Sequence, residues 1–317
     1  MFPGAPRPFL DLSTGINPHA YPVPDLSADL LARLPEPGSL LQLKEIAAKA
    51  YGAPSAAHVV AGPGSQILAA QTGFLLARGQ ATVLAPTYSE HARVAELAGH
   101  NVVEAADVAQ LAESRIAIVV NPNNPDGRIL AKDMLLALAD RLRRRGGLLL
   151  VDEAFMDVAP EGVSLADQVQ RGNIVVLRSF GKFYGLAGLR LSFAIAAPNV
   201  AARLALALGP WPVSSAALAI GGAALADAAW RDKTRAALAE SALRLDILLA
   251  RAGLEIIGGT PLFRLVRAKE AASLFQQLGE AGIFVRRFAE HPSWLRFGLP
   301  GGEAAWKRLE AALGRNR

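Results

Sequence analysis

The sequence predicts an α/β protein. A large domain built on a mostly parallel buried sheet flanked by helices comes first, and a smaller α+β domain follows. Three observations carry this. Apolar runs of strand length alternate with helix-length segments between about residues 38 and 196. Those runs are continuously apolar rather than alternating, as in strands covered on both faces. After about residue 198 the pattern changes to long Ala- and Leu-rich helices and then to short mixed elements. The expected division is an N-terminal segment over 1–37, which joins the small domain and the active site, a large domain over 38–204 and a small domain over 205–317.

The elements follow in order. The proline-rich start has no strong periodicity. "SLLQLKEIAAKAYG" reads as a helix stopped by Gly52. "HVVAG" is a short strand, and "GSQILAAQTGFLLARG" is a helix opening at a glycine-serine turn. Then come the strand "ATVLAP", the helix "YSEHARVAELAGH" and the strand "RIAIVV", which stops at "NPNNPDG". The helix "AKDMLLALADRLRRRGG" leads to the strands "LLLVDEA" and "NIVVLRSF". The basic run in that helix closes it, where cations complement the helix dipole. In the second part, "DKTRAALAESALRLDILLARAG" is a long helix. "PLFRLV", "EAASLFQQLGEAG", "IFVRR", "WLRFGLP" and "EAAWKRLEAAL" complete the small domain.

Composition narrows the function. The 317 residues are 52% hydrophobic and 19% charged, an ordinary globular balance. The 33 basic residues exceed the 28 acidic ones by five. That mild excess suits small anionic ligands, and no basic-aromatic block points to nucleic acid. With no cysteine, disulfides, thiolate metal sites and cysteine nucleophiles are excluded. No secretory signal is expected at the N-terminus, and cytoplasmic localisation follows as the expectation. The most apolar long run, residues 211–230, contains Asp227 and reads as a buried helix rather than a membrane span.

Polar clusters follow three of the apolar strands, so they should meet at one rim of a parallel sheet, where ligands collect. They supply Asn124, Asp152, Ser179 and Lys182. Lysine is scarce, seven against 26 arginines, yet Lys182 sits in an apolar, glycine-spaced setting. Upstream, "AGPGSQ" opens a helix and presents backbone N–H groups to an anion. Arg190 adds a fixed positive charge. The set suits a ligand with a phosphate, a ring nitrogen that pairs with a carboxylate, and an aldehyde that condenses with an amine. Pyridoxal 5′-phosphate has all three. Plainer roles exist for several of these residues. Asn124 can stabilise a turn, Ser65 can cap a helix, Tyr88 can open one, and Arg296 can be a surface cation.

In "NPNNPDG", "DEAF" and "SFGKFYGLAGLR", in this order, the chain resembles the fold-type I pyridoxal-phosphate enzymes of the aminotransferase class I/II group. The resemblance implies the aspartate-aminotransferase-like transferase fold and assigns roles. Lys182 takes the Schiff-base and proton-transfer role, and Asp152 pairs with the pyridine nitrogen. Asn124 faces the phenolic oxygen, and Tyr88 stacks on the ring. Gly64, Ser65, Gln66, Ser179 and Arg190 form the phosphate cup. Arg296 holds the substrate's α-carboxylate, with Asn17 as a second contact. The resemblance also implies a homodimer. Two positions depart from it: Phe155 replaces a frequent tyrosine, and Leu34 replaces another before "PEP". The stretch "DLSTGINPHAYP" resembles the opening of L-threonine O-3-phosphate decarboxylases of cobalamin biosynthesis. It implies decarboxylation to (R)-1-aminopropan-2-ol O-2-phosphate, with a histidinol-phosphate-type aminotransferase as the alternative and a non-catalytic binding protein behind both. For the phosphate of such a phosphorylated amino acid, His19, Arg7, Arg286 and Arg287 are candidates.

Overall fold

A computed structural model describes residues 2–314. In chain order, β1 (Leu10–Asp11) precedes α1 (Ala28–Ala32) and α2 (Pro37–Tyr51). Next come β2 (Val59–Gly62), α3 (Ser65–Phe74), β3 (Gln80–Leu84), α4 (Glu90–Leu97) and β4 (Asn101–Ala105). β5 (Ile116–Val120), α5 (Lys132–Arg144), β6 (Leu148–Asp152) and β7 (Ile174–Ser179) follow. The short α6 (Phe180–Phe183), β8 (Ser192–Ala196), α7 (Pro198–Leu208) and α8 (Ser215–Ala226) come before the long α9 (Ala228–Arg251). β9 (Glu255–Thr260), β10 (Phe263–Arg267), α10 (Ala271–Glu280), β11 (Ile283–Phe284), β12 (Arg286–Arg287), β13 (Trp294–Gly298) and α11 (Glu303–Leu313) complete the fold.

Contacts divide the chain into two compact units. The larger comprises Tyr21–Asn124 and Ile129–Ala228. It is built on a seven-stranded sheet of order β2-β8-β7-β6-β5-β3-β4. The pairs from β4 across to β7 are parallel, and β8 alone in this sheet runs against its neighbours. Every residue of β5, β6 and β7 is buried, which is why these strands read as unbroken apolar runs. β4 is an exposed edge with little apolar pattern, and the sequence pattern passes over it. α5 buries Leu135, Leu138, Ala139 and Leu142 and keeps Arg141, Arg143 and Arg144 in its last turn. Each leucine so placed contributes roughly 1.5–3 kcal/mol, and the arginines complement the dipole.

The smaller unit comprises the residues up to Ala20, Pro125–Arg128 and the residues from Ala229 onward. It holds an antiparallel sheet of order β12-β13-β10-β9 and the short parallel pair β1-β11. Phe263, Leu265, Leu295 and Phe297 form its buried centre. The tetrapeptide 125–128 belongs here because its backbone meets β9. Gly259 N donates to Asp126 O at 2.8 Å, and a side chain at Gly127, φ 73°, would overlap the Gly259 backbone.

These contacts divide the chain elsewhere than the change of sequence pattern does. Residues 21–37 and 205–228 lie in the larger unit. The reason is packing: α8 lies against α2. Gly221 on α8 lets Leu191 approach the helix, since a methyl there would press on the Leu191 side chain.

Candidate active site

The carboxyl ends of β5, β6 and β7 lie in register. Val120 pairs with Asp152, and Asp152 with Leu177. The polar residues that follow these strands therefore share one rim of the larger unit. Asp152 ends β6 and is buried. Its Oδ1 accepts from Ala154 N at 3.0 Å, and its Oδ2 is bonded to His91 Nε2 at 2.8 Å. His91 sits on α4, is 3% exposed, and its Nδ1 is buried with no hydrogen-bond partner. Tyr88 stands edge-on to the His91 ring, with centroids 5.8 Å apart. Sequence reasoning missed His91. No local signal marked it: Tyr88 lies ahead of α4, and His91 gains its meaning only from the bond to Asp152.

Asn124 is half-buried in the loop after β5. That loop is closed by Asn121, whose Oδ1 accepts from Leu130 N at 2.8 Å. Asn123 ties it to the Tyr88 loop. Its Oδ1 accepts from Thr87 Oγ1 at 2.6 Å, and its Nδ2 donates to Pro86 O at 2.9 Å.

Lys182 lies on α6, one turn beyond β7, and is half-buried. Its Nζ is 6.0 Å from the centre of the buried Phe155 ring. Gly181 allows the chain to double back here, because a methyl would stand 2.7 Å from Ala187 Cα. Ser179 is buried at the end of β7, paired with Ser192. Arg190 has φ 56°, the left-handed region that costs a non-glycine residue about 1–3 kcal/mol. Its Nη1 donates to Ala187 O at 3.2 Å. Its Nη2 reaches Gly64, φ 114°, the residue before α3, where a methyl would lie 2.5 Å away. Arg190, Gly64 and Ser65 thus meet at the N-terminus of α3. The Gln66 amide is bonded to Glu90, which also pairs with Arg93.

In the smaller unit, Arg296 on β13 is 7% exposed. Its Nη2 donates to Ser13 O at 2.7 Å, and its guanidinium lies 5.1 Å from the Phe263 ring centre. Arg286 is its cross-strand partner on β12. Burial first, and then the Arg286 charge, push the Arg296 pKa down to about 10, with Asp11 opposing. Asn17 is buried, its Oδ1 accepting from the backbone N of the exposed His19 at 2.9 Å.

The donor set of the larger unit fits pyridoxal 5′-phosphate. A buried carboxylate suits the ring nitrogen, an amine beside an apolar ring suits the aldehyde, and a cradle that only glycine leaves open brings a guanidinium to a helix N-terminus for the phosphate. Residues 9–310 match the family model for aminotransferase class I and II. A threonine-phosphate decarboxylase of Sinorhizobium sp is 44% identical over 318 residues, spanning 98% of this chain and 93% of that protein. Another, of Pseudomonas aeruginosa, is 42% identical, spanning 96% and 91%. Among solved structures, the histidinol-phosphate aminotransferase from Sinorhizobium meliloti in complex with pyridoxal-5′-phosphate superposes with a TM-score of 0.84 at 22% identity, covering 97% of this chain and 90% of that one.

Proposed function

The chain belongs to the aminotransferase class I and II family, and from that premise we propose that it decarboxylates L-threonine O-3-phosphate to (R)-1-aminopropan-2-ol O-2-phosphate. Pyridoxal 5′-phosphate is the cofactor, and cobalamin biosynthesis is the setting. The observation that carries this reading is the 44% and 42% identity to threonine-phosphate decarboxylases over nearly the full length of each protein.

When bound, pyridoxal phosphate supplies a sink for the electrons of the bond that breaks at the substrate's Cα. In this reading Lys182 would hold the cofactor through its Nζ and would supply the proton that replaces carbon dioxide at Cα. Asp152 would pair with the ring nitrogen, and His91 and the Ala154 N–H fix the direction of its carboxylate. Asn124 and Tyr88 orient the ring. Arg190, Ser179, Gly64, Ser65 and Gln66 receive the cofactor phosphate.

Arg296 directs the substrate carboxylate, with Asn17 beside it. The cross-strand placement of Arg286 and Arg296 supports a substrate with two anionic groups, because paired cations are relieved by paired anions. Arg286 is thus the favoured partner of the substrate phosphate, with His19, Arg7 and Arg287 as further candidates.

The working form in this reading is a cytoplasmic homodimer. A groove of about 700 Å³ in the larger unit supports the dimer. Leu30, Leu34, Ile46 and Leu218 line it together with Asp29, Arg33 and Glu36, and Leu31 and Leu41, next in sequence to lining residues, are exposed. Among the described residues no helix is long and apolar enough to cross a membrane.

The deciding assay gives the purified protein pyridoxal phosphate and threonine phosphate, with and without 2-oxoglutarate. Carbon dioxide release independent of 2-oxoglutarate is expected. Amino transfer to 2-oxoglutarate without carbon dioxide would instead favour an aminotransferase acting on a compound such as histidinol phosphate.

A further inference from the structure

A second polar cluster lies buried behind the strand ends that carry Asp152 and Lys182. Arg178, on β7 one residue before Ser179, is 4% exposed. Its Nη1 donates to Glu153 Oε2 at 3.2 Å and its Nη2 to Asp157 Oδ1 at 2.6 Å. Its guanidinium stacks over the Tyr51 ring, 4.3 Å from the centre. Glu153 is fully buried, and it accepts two more hydrogen bonds, from Ser164 Oγ at 2.6 Å and Leu165 N at 2.8 Å. Burial alone lowers the Arg178 pKa, but the charges of Asp157 and Glu153 together raise it.

The sequence positions make this cluster more than core filling. Asp152 and Glu153 are neighbours, and so are Arg178 and Ser179. Strand alternation turns each pair to opposite faces of the sheet, so the ion pair spans the same two strands as the candidate cofactor contacts, from behind. Glu153 and Asp157 also bracket the turn that follows Asp152. That turn contains Ala154, whose N–H holds Asp152 Oδ1, and Phe155, whose ring lies beside Lys182. One guanidinium therefore grips the turn at both ends, and its own strand leads into α6, which carries Lys182 four residues later. Removing one partner of a buried ion pair leaves an uncompensated charge, so such a grip holds a single geometry.

We propose that Arg178 is a positioning residue: by clamping Glu153 and Asp157 it fixes the Asp152–Phe155 turn relative to Lys182, and so sets cofactor affinity and the chemistry of the lysine–cofactor bond. This rests on the reading of Lys182 as the residue that holds pyridoxal phosphate. Displacements of about an ångström transmitted to a site cost on the order of a hundredfold.

The test compares wild type with Arg178→Lys and Asp157→Asn. A lysine keeps the charge but cannot present a fork to two carboxylates, and the asparagine keeps the shape while removing one charge. Three quantities are read: the thermal transition of the apoprotein, the dissociation constant of pyridoxal phosphate, and the midpoint of the pH titration of the visible absorbance. Both variants are expected to melt cooperatively, to bind the cofactor on the order of tenfold to a hundredfold more weakly, and to shift the titration midpoint by about half a unit or more. A lowered melting temperature with cofactor affinity and midpoint unchanged would reduce Arg178 to a structural role and overturn the proposal. If Arg178→Lys does not fold, Asp157→Asn decides by the same criteria. Wild type that forms no borohydride-reducible bond with pyridoxal phosphate, or forms one that survives in Lys182→Ala, would overturn the reading of Lys182 itself.

Discussion

At Gly64 a single hydrogen decides whether Arg190 can stand at the start of α3. The φ of 114° favours glycine, and a methyl there, 2.5 Å from Arg190 Nη2, would push the guanidinium aside. Gly64→Ala is therefore expected to weaken pyridoxal phosphate binding about tenfold or more, from backbone strain of about 1–3 kcal/mol and a displaced guanidinium. The dissociation constant measured by dialysis checks this. Arg296 yields a prediction in pH. Its pKa, near 10, lies below that of an exposed guanidinium, so its charge is present at neutral pH and lost as the pH rises through about 10. Threonine phosphate affinity should fall in that range and hold below it, as a spectroscopic titration from about pH 8 to about pH 11 can read. The sign for stability is opposite: a cation whose folded pKa is depressed opposes folding while charged, and that penalty is relieved as the pH passes about 10. Lys182, Asp152, Asn124 and Arg190 stand out in the sequence because each ends or follows an apolar strand or lies in a glycine-spaced turn. His91 does not, since a lone histidine in a helix carries no chemistry until its bond to Asp152 is seen.

Among the elements, α5 was legible nearly to its ends, because Leu135, Leu138 and Leu142 recur at the helical period. Leu142→Ala removes a fully buried side chain and is expected to cost about 2–5 kcal/mol, read as a lower midpoint in denaturant at unchanged slope. Elements without such a period escaped. β4 is an exposed edge strand, β8 is a reversed strand that leads through Ala197 straight into α7, and β9 contains Gly258 and Gly259. Their existence depends on partners: β9 on β10 and on the backbone of Asp126, β8 on β7 and β2. The expected helix over 64–79 stops at Phe74 for a related reason. His100 places its two ring nitrogens 2.9 and 3.3 Å from Gly73 O and Gly79 O, so either tautomer can donate to a carbonyl of this stretch.

For the molecule as a whole, the groove of the larger unit and its exposed leucines give the dimer proposal a direct test. Leu31→Glu with Leu34→Glu places two carboxylates on exposed apolar positions at the groove. The pair is expected to fold and to sediment as a monomer, where wild type sediments as a dimer; unchanged sedimentation would put the interface elsewhere. The sequence by itself determined the α/β class, the strand ends that carry the polar clusters and the cofactor they suit, because continuous apolar runs and their terminating residues are properties of neighbouring positions. Only the tertiary structure decided the bond between His91 and Asp152, the grip of Arg178 on Glu153 and Asp157, the meeting of Arg190 with Gly64, and the division of the chain at residues 20 and 228. These join positions far apart in sequence, and no local pattern encodes a distance that the folded backbone alone sets.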